Sequence, residues 1–426
     1  MIIKDVVILG AGIAGISACY HAQKKDKDVI CYEASKKVGG LVANFSVNGF
    51  RFDNAVHLSF TKDEYVRSVF DKTEYISHKP DAFCLDRGYW LKHPVQNNLF
   101  PLPVDEKISH IKFFIERPSF EPENYAEWLD HQYGFSIANK YPKSYTKKYW
   151  GINADELSTS WVGNRMRRAE IDEILQGALE QRDDNHYYAN EMRYPKSGGY
   201  FEFIRKIAEK SNIECNKKAN SISLQDKTVS FTDGTTVQYT DLISSLPLPT
   251  LCSMIKDCPN NVQDAAKSLI WTTVDLISIG FDKQDVPPCL WFYIYDELNL
   301  AARAYSPSWK SADNAPEGKS SLQFEIYNLS TSDRLNPEQL IENIKTKLLE
   351  MNICTETDIL FSHHKHLPFG NVVFDHGMEG RRQVVLDYLA SVNIKTCGRF
   401  GEWDYLWSDQ SFLSGRKAST NILEDR

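Results

Sequence analysis

No stretch of the sequence is apolar for the roughly 20 consecutive residues needed to cross a bilayer, so no membrane span is expected. No charged leader with a cleavage site precedes the first motif, and a cytoplasmic protein without a removable leader is expected. The nine cysteines are odd in number and lack CxxC spacing. Neither a disulfide framework nor a zinc site is therefore indicated; reduced buried thiols and no metal are expected. Positive charge is in deficit, with a net charge of −8, which argues against general nucleic-acid binding. A local arginine cluster holding a small anion remains compatible with that balance. There is no Ser-His-Asp or paired-carboxylate signature, internal repeat or low-complexity segment. What remains is the composition of a soluble globular protein, 42% hydrophobic and 25% charged. Its 426 residues suit two interleaved domains.

The most informative stretch is the first forty residues. Asp5-Val6-Val7-Ile8-Leu9 is an apolar, β-branched run that reads as a buried strand. Gly10-Ala11-Gly12-Ile13-Ala14-Gly15 follows at once, then a helical pattern to about Lys24, then the strand Val29–Tyr32 and the acid Glu33. This is the order of a dinucleotide-binding βαβ unit. Gly10 makes the tight turn, Gly12 permits close approach of a pyrophosphate, and Gly15 permits close helix–strand packing. The helix N-terminus around Ala14 offers free N–H groups to phosphate, and Glu33 is placed to accept from ribose hydroxyls. A second glycine pair, Gly39-Gly40-Leu41, follows the acid. In a plain NAD dehydrogenase that pair would be only a turn.

Further along, Asn48-Gly49 reads as a hairpin turn, and a second hairpin spans about 83–91 with its turn at Asp86-Arg87-Gly88. Helical patterns dominate from about 104 to 181, with another helix at about 200–210. Strands are expected at 222–224, 228–231, 236–239 and 242–247, the last returning to the nucleotide sheet. More follow at 274–281, 290–294, 301–305, 321–327 and 395–397, with helices at about 337–350 and 410–423. The expected fold class is mixed α/β: a discontinuous Rossmann-like FAD-binding domain with a helical insert and an antiparallel-sheet substrate domain. The expected domain pieces are 1–60, 195–260 and 390–426 for the cofactor, 61–194 for the insert and 261–389 for the sheet.

The acid followed by a Gly-Gly loop resembles the opening of FAD-binding proteins of the amine oxidase superfamily. Within it, Gly398-Arg399-Phe400-Gly401-Glu402-Trp403-Asp404-Tyr405 with Asp409-Gln410-Ser411 is similar to the C-terminal flavin segment of UDP-galactopyranose mutases, particularly the eukaryotic type. Three more segments point the same way, in the same order. They are His93-Pro94-Val95-Gln96-Asn97-Asn98-Leu99, the run Tyr145 to Gly151 with Trp161 to Arg165, and Arg303-Ala304-Tyr305-Ser306-Pro307. The resemblance implies FAD, active in its reduced form, held by Gly10, Gly12, Ala14, Gly15, Glu33, Gly39, Gly40, Leu41, His57, Gly398, Arg399, Asp409, Gln410 and Ser411. It implies a nucleotide-sugar substrate whose pyranose and furanose forms interconvert, with reduced FAD as the nucleophile on the anomeric carbon. Forked guanidinium groups suit a diphosphate, so Arg165 and Arg303 are the candidates to hold it, with Tyr405 donating its hydroxyl. Gln96 and Asn97 could read a uracil edge, and Tyr149 or Trp150 could stack on the base. His57 is expected beside the flavin, where an imidazole titrating near neutral pH could poise it. The catalytic set is thus His57, Arg165, Arg303 and Tyr405.

The chain departs from that family at several points. Ala55-Val56-His57 stands in place of Gly-Gly-His, which implies a less close backbone approach. No mobile histidine loop is recognisable in Leu58-Ser59-Phe60-Thr61. Leu367-Pro368-Phe369 stands where a second phosphate-binding tyrosine is usual, and His93 replaces a tyrosine. The sugar, the nucleotide, the reductant and any homo-oligomer stay open. The competing readings are an amine-oxidase or protoporphyrinogen-oxidase-like oxidoreductase, which would want an apolar tunnel, and a scaffold that has lost catalysis.

Overall fold

A computed structural model describes residues 2–24, 27–163, 166, 170–182 and 189–424, the last four as backbone only. The opening motif folds as its residues dictate. Val6, Val7 and Ile8 are fully buried in the strand Ile2–Leu9, which pairs in parallel with Val29–Tyr32 on one side and Thr236–Ser244 on the other. The helix Ile13–Gln23 joins the first two of these strands. Ile213–Glu214 extends the sheet beyond Val29–Tyr32, and Ile394–Thr396 lies beside Thr236–Ser244 at the opposite edge. Segments distant in sequence therefore build one Rossmann-like layer.

Thr236–Ser244 differs from expectation. Thr240-Asp241 looks like a break between two strands, yet one continuous strand runs through it. Ile2–Leu9 pairs with it in parallel along nearly its whole length, while on its other edge the first half pairs antiparallel with Thr228–Phe231 and the last three residues pair in parallel with Ile394–Thr396. The polar pair marks a change of partner, not an end of pairing.

The last helix, Ser408–Glu424, packs on Ile13–Gln23 through small residues. A Cβ on Gly415 would stand 2.0 Å from the Ala14 carbonyl oxygen, and the Ser17 hydroxyl donates to the Phe412 carbonyl at 2.6 Å. This contact carries the C-terminal segment back to the glycine motif, close to where the motif's helix begins.

The second large sheet runs in the order Ile359–Leu367, Thr272–Phe281, Ser320–Leu329, Arg303–Tyr305, Trp291–Ile294, Ala82–Asp86, Tyr89–Lys92. Every pairing is antiparallel except Trp291–Ile294 with Ala82–Asp86. The hairpin at 82–92 thus completes a layer whose other strands come from later in the chain. Ile359–Leu367 escapes sequence reading because Ser362-His363-His364-Lys365-His366 lacks apolar alternation; it is an edge strand, half-buried along its length. The helical segment contains Val104–Ile115, Tyr125–Ala138, Ser144–Trp150 and Ile171–Leu179. Gly134 kinks the second of these at φ 72°, and a Cβ there would meet the Phe113 carbonyl oxygen at 2.2 Å. Among the described residues no helix is long and apolar enough to cross a membrane. All nine cysteines are free thiols.

Candidate functional site

The two glycine pairs meet. Gly39 N–H donates to the Ala11 carbonyl at 2.8 Å, and a Cβ on Gly40 would touch Gly12 Cα at 3.2 Å. Gly39-Gly40 is therefore packed against the first motif, at φ 111° and 55°, rather than being a remote turn. The three glycines of the motif have different surroundings. A Cβ on Gly15 would stand 1.8 Å from the Gly10 carbonyl oxygen, and Gly10 itself has φ 90°. A Cβ on Gly12 would meet nothing within 4 Å. Gly10 and Gly15 serve the fold, whereas Gly12 borders open space at the helix N-terminus, where a phosphate would fit. Glu33 accepts from the Ala11 N–H at 2.8 Å and the Ser35 N–H at 2.9 Å. The Ser35 hydroxyl also donates to Oε1 at 2.7 Å, so Oε2 is the oxygen that keeps a lone pair for a ribose. These residues fit a dinucleotide by their own geometry.

From Leu41 the chain enters a cleft of about 1040 Å³ of empty space, part of it open to solvent. Leu41, His57, Tyr149, Arg303, Arg399, Tyr405 and Asp409 all line it, so seven side chains singled out in the sequence share one cavity. His57 follows Ala55, which holds φ 74°. That is the left-handed conformation a glycine would adopt without strain, kept here despite a Cβ at a cost of about 1 kcal/mol. The His57 ring lies 5.1 Å from that of Tyr200, and its Nδ1 is 3.1 Å from the Ala55 carbonyl oxygen. Burial drives its pKa down to about 4, against a smaller upward pull from Asp53. At neutral pH the ring is therefore uncharged, not midway through a titration.

Behind His57 lies a wholly buried ion pair, Lys310 Nζ to Asp53 Oδ2 at 2.7 Å. Tyr194 donates its hydroxyl to the same oxygen at 2.7 Å, and the Tyr200 N–H donates to Oδ1 at 3.1 Å. Lys310 also sits 4.3 Å over the rings of Tyr194 and Tyr305. Three donors on the carboxylate and two ring faces against the ammonium offset desolvation at such a depth.

Arg303 stands on a short strand beside Ser320–Leu329. Its Nε pairs with Glu325 and its Nη2 donates to the Tyr327 hydroxyl at 3.3 Å. Glu325 is completely buried; besides Arg303 it accepts from the Val56 N–H at 2.7 Å and the Tyr327 hydroxyl at 2.6 Å. Burial alone would lower the Arg303 pKa, but Glu325 and the surrounding tyrosines hold it above the ordinary arginine value. The guanidinium stays charged while its remaining N–H edge faces the cleft. Tyr405 and Tyr149 hydroxyls lie 3.0 Å apart, and burial raises the Tyr405 pKa, so it remains a protonated donor.

Arg399 donates through Nε and Nη2 to the Leu406 carbonyl at 2.9 and 2.8 Å. Nη1 reaches the Gly370 carbonyl at 3.4 Å and Asn371 Oδ1 at 3.3 Å. Among the described residues it pairs with no carboxylate. Gly398, at φ 80°, brings this segment to Ala14, 2.7 Å from any Cβ placed on it. The last helix begins at the cleft with Ser408 and Asp409. Gln410 accepts from the Trp407 N–H at 2.9 Å, and Ser411 is buried behind it.

Other predicted residues lie elsewhere. The Asn97 side chain donates to Glu173 at 2.9 Å, and the helix Ile171–Leu179 approaches so closely that a Cβ on Gly177 would meet the Asn97 carbonyl oxygen at 1.9 Å. Gln96 and Asn97 are both buried and neither lines the cleft. Trp150 is a core residue, 5.1 Å from the Trp161 ring and 5.4 Å from that of Tyr405. Arg165, with Arg167 and Arg168, lies outside the described residues. Lys310, Glu325 and Asn371 went unread in the sequence. For Glu325 the signal existed: Gln323, Glu325 and Tyr327 alternate with apolar residues along a fully buried strand, placing three polar groups on one inner face.

A family model described as an NAD(P)-binding Rossmann-like domain matches residues 8–73. The 4,4'-diapophytoene desaturase of Staphylococcus haemolyticus is 29% identical over 86 residues, 19% of this chain and 17% of that protein. The hydroxysqualene dehydroxylase of Sinorhizobium fredii is 37% identical over 67 residues, 15% of this chain and 16% of that protein. The chain thus matches about a sixth of the length of these curated relatives. The solved structures extend much further. Reduced UDP-galactopyranose mutase superposes with a TM-score of 0.93 at 27% identity, covering 99% of this chain and 96% of that one. An Exiguobacterium protein named as a protoporphyrinogen oxidase gives 0.74 at 17% identity, covering 99% of each chain, which bears on fold alone. Across its whole length the chain therefore shares the fold of reduced UDP-galactopyranose mutase, with a Rossmann-like dinucleotide-binding domain at its opening.

Proposed function

We propose that the protein is a flavin-dependent sugar-nucleotide mutase that interconverts the pyranose and furanose forms of a nucleoside-diphosphate sugar. The observation that carries this reading is a cleft walled by two guanidinium groups and two tyrosine hydroxyls, reaching Leu41 beside the Gly39-Gly40 pair. An amine or porphyrinogen oxidase would want an apolar tunnel, and such a wall would disfavour its substrate. Residues 1–60, 195–260 and 390–426 would hold FAD, with 61–194 and 261–389 forming the substrate side. Gly12, Gly39, Gly40 and the helix N-terminus would take the pyrophosphate, and Glu33 the ribose. When bound and reduced, the flavin would supply the nucleophile for the anomeric carbon.

The chain's own groups supply position and charge. Arg303, held in orientation by Glu325, presents its free edge to the diphosphate, and the Tyr405 hydroxyl, turning from Tyr149, donates to the same oxygens. Together they stabilise the charge that develops on the departing nucleoside diphosphate and keep it in place for its return. His57, uncharged, offers a hydrogen bond beside the cofactor without adding a competing cation. Asp53 and Lys310 fix the wall behind it. Turnover with a panel of UDP- and dTDP-sugars tests the reading. Furanose product formed only by dithionite-reduced protein supports it; substrate-driven flavin reduction with peroxide release would replace it with the oxidase.

A further inference from the structure

Asn371 follows directly on Gly370 in the cleft wall and is 2% exposed. Its backbone is fixed from both sides, N–H to the Thr272 hydroxyl at 3.0 Å and carbonyl to the Thr272 N–H at 2.8 Å. Its side-chain oxygen accepts from Arg399 Nη1 at 3.3 Å and from the Tyr149 hydroxyl at 3.4 Å. The guanidinium sets the orientation of the amide, because turning it over would press an NH2 against another donor. Its Nδ2 then has no partner, although it is buried. An unmet buried donor costs about 1–3 kcal/mol, so such groups are retained where something meets them.

The surroundings identify what that is. Arg399 has only neutral acceptors, Arg303 faces the same cavity, and the Tyr405 hydroxyl, which can turn from Tyr149, adds a donor. Asn371 Oδ1 is already occupied by two donors, and the Gly370 carbonyl by Arg399. An atom placed among these groups is therefore an oxygen bearing negative charge. We propose that Asn371 is a ligand-binding residue whose side-chain NH2 donates to a phosphate oxygen of the nucleotide sugar, between Arg399 and the Tyr149–Tyr405 pair. This rests on the mutase reading, and it adds a neutral donor to a diphosphate grip otherwise made of arginines and tyrosines.

The experiment compares binding of UDP and of uridine to the flavin-loaded wild type and to Asn371→Asp, Asn371→Ser and Asn371→Leu. The aspartate keeps the acceptor for Arg399 and Tyr149 but replaces the donor with a negative charge. The serine keeps a donor, and the leucine keeps neither. A hydrogen bond to a charged group corresponds to roughly 10- to 100-fold in affinity. The inference expects Asn371→Asp to weaken UDP by at least that lower factor, Asn371→Leu by a similar factor, and Asn371→Ser by less. Uridine affinity, flavin content and the flavin absorption spectrum should be unchanged. Equal losses for UDP and uridine, or loss of flavin in step with UDP, would overturn it in favour of a packing or flavin-carbonyl role. Unchanged UDP binding in all three variants would overturn it outright. Wild-type holoprotein that does not bind UDP would instead bring down the mutase reading itself.

Discussion

Glu325 is the joint on which the cleft's cationic wall turns, and removing its charge should be costly in a way that identifies the cause. One carboxylate, with no exposure at all, holds Arg303, the Tyr327 hydroxyl and the Val56 N–H, between Ala55's strained turn and His57. In Glu325→Gln one amide face is a donor, so either Val56 or the Arg303–Tyr327 side loses its acceptor. Breaking one partner of a buried pair costs about 3–5 kcal/mol, because the other charge stays desolvated. Arg303→Met should cost a similar amount by stranding the carboxylate. The double variant Glu325→Gln/Arg303→Met should cost clearly less than the two together, leaving a coupling of about 2 kcal/mol or more. Denaturant unfolding of the four proteins measures this directly. Single substitutions within about 0.5 kcal/mol of wild type, or strict additivity, would refute the argument that Glu325 holds Arg303 charged and oriented.

The glycine motif yields a contrast. Gly15→Ala should destabilise the fold by about 1–3 kcal/mol or more, since its Cβ collides with the Gly10 carbonyl. Gly12→Ala should leave thermal stability within about 0.5 kcal/mol and yet release flavin far more readily on dialysis; equal stability losses in both would contradict the assignment. Asp53→Asn should destabilise by about 3–5 kcal/mol, read by the same unfolding assay, because Lys310 has no access to water. Stability should also fall as the pH drops from about 6.5 towards 4. Burial lowers the His110 pKa to about 4, so the unfolded chain takes up its proton first; stability is full above the unfolded value and lost below it. The gap of about 2.5 pH units corresponds to about 3 kcal/mol for His110 alone, which is 2% exposed. His21, His57 and His93 shift the same way and add less, being partly exposed. A flat stability profile across that range would refute the sign.

The opening βαβ unit was legible because its chemistry is local: β-branched residues, three glycines and an acid at fixed spacing suffice. The hairpins at Asn48-Gly49 and Arg87-Gly88 were legible for the same reason, and each turn pair does hold positive φ. What escaped depends on partners distant in sequence. Tyr75–His78 and Met192–Pro195 are strands only because they pair with each other across more than a hundred residues. The edge strand Ile359–Leu367 hides behind a run of histidines. At the site, Arg303, Tyr405, Tyr149, His57 and Arg399 lie where motif order suggested, in one cavity. Gln96 and Asn97 resemble base-reading amides in sequence, but their neighbours in space are a glutamate and a helix backbone. Asn371 carries no motif, and its meaning comes only from the guanidinium and hydroxyl at its amide oxygen and the unmet donor at its nitrogen.

The most direct test is a crystal structure of dithionite-reduced, flavin-loaded protein soaked with UDP-galactose. Diphosphate oxygens within about 3 Å of Arg303 and of the Tyr149 or Tyr405 hydroxyl, with the sugar against a flavin ring beside His57, are what the account predicts. A flavin in place with the diphosphate bound elsewhere, or with Arg303 turned wholly onto Glu325 and away from the ligand, would contradict it.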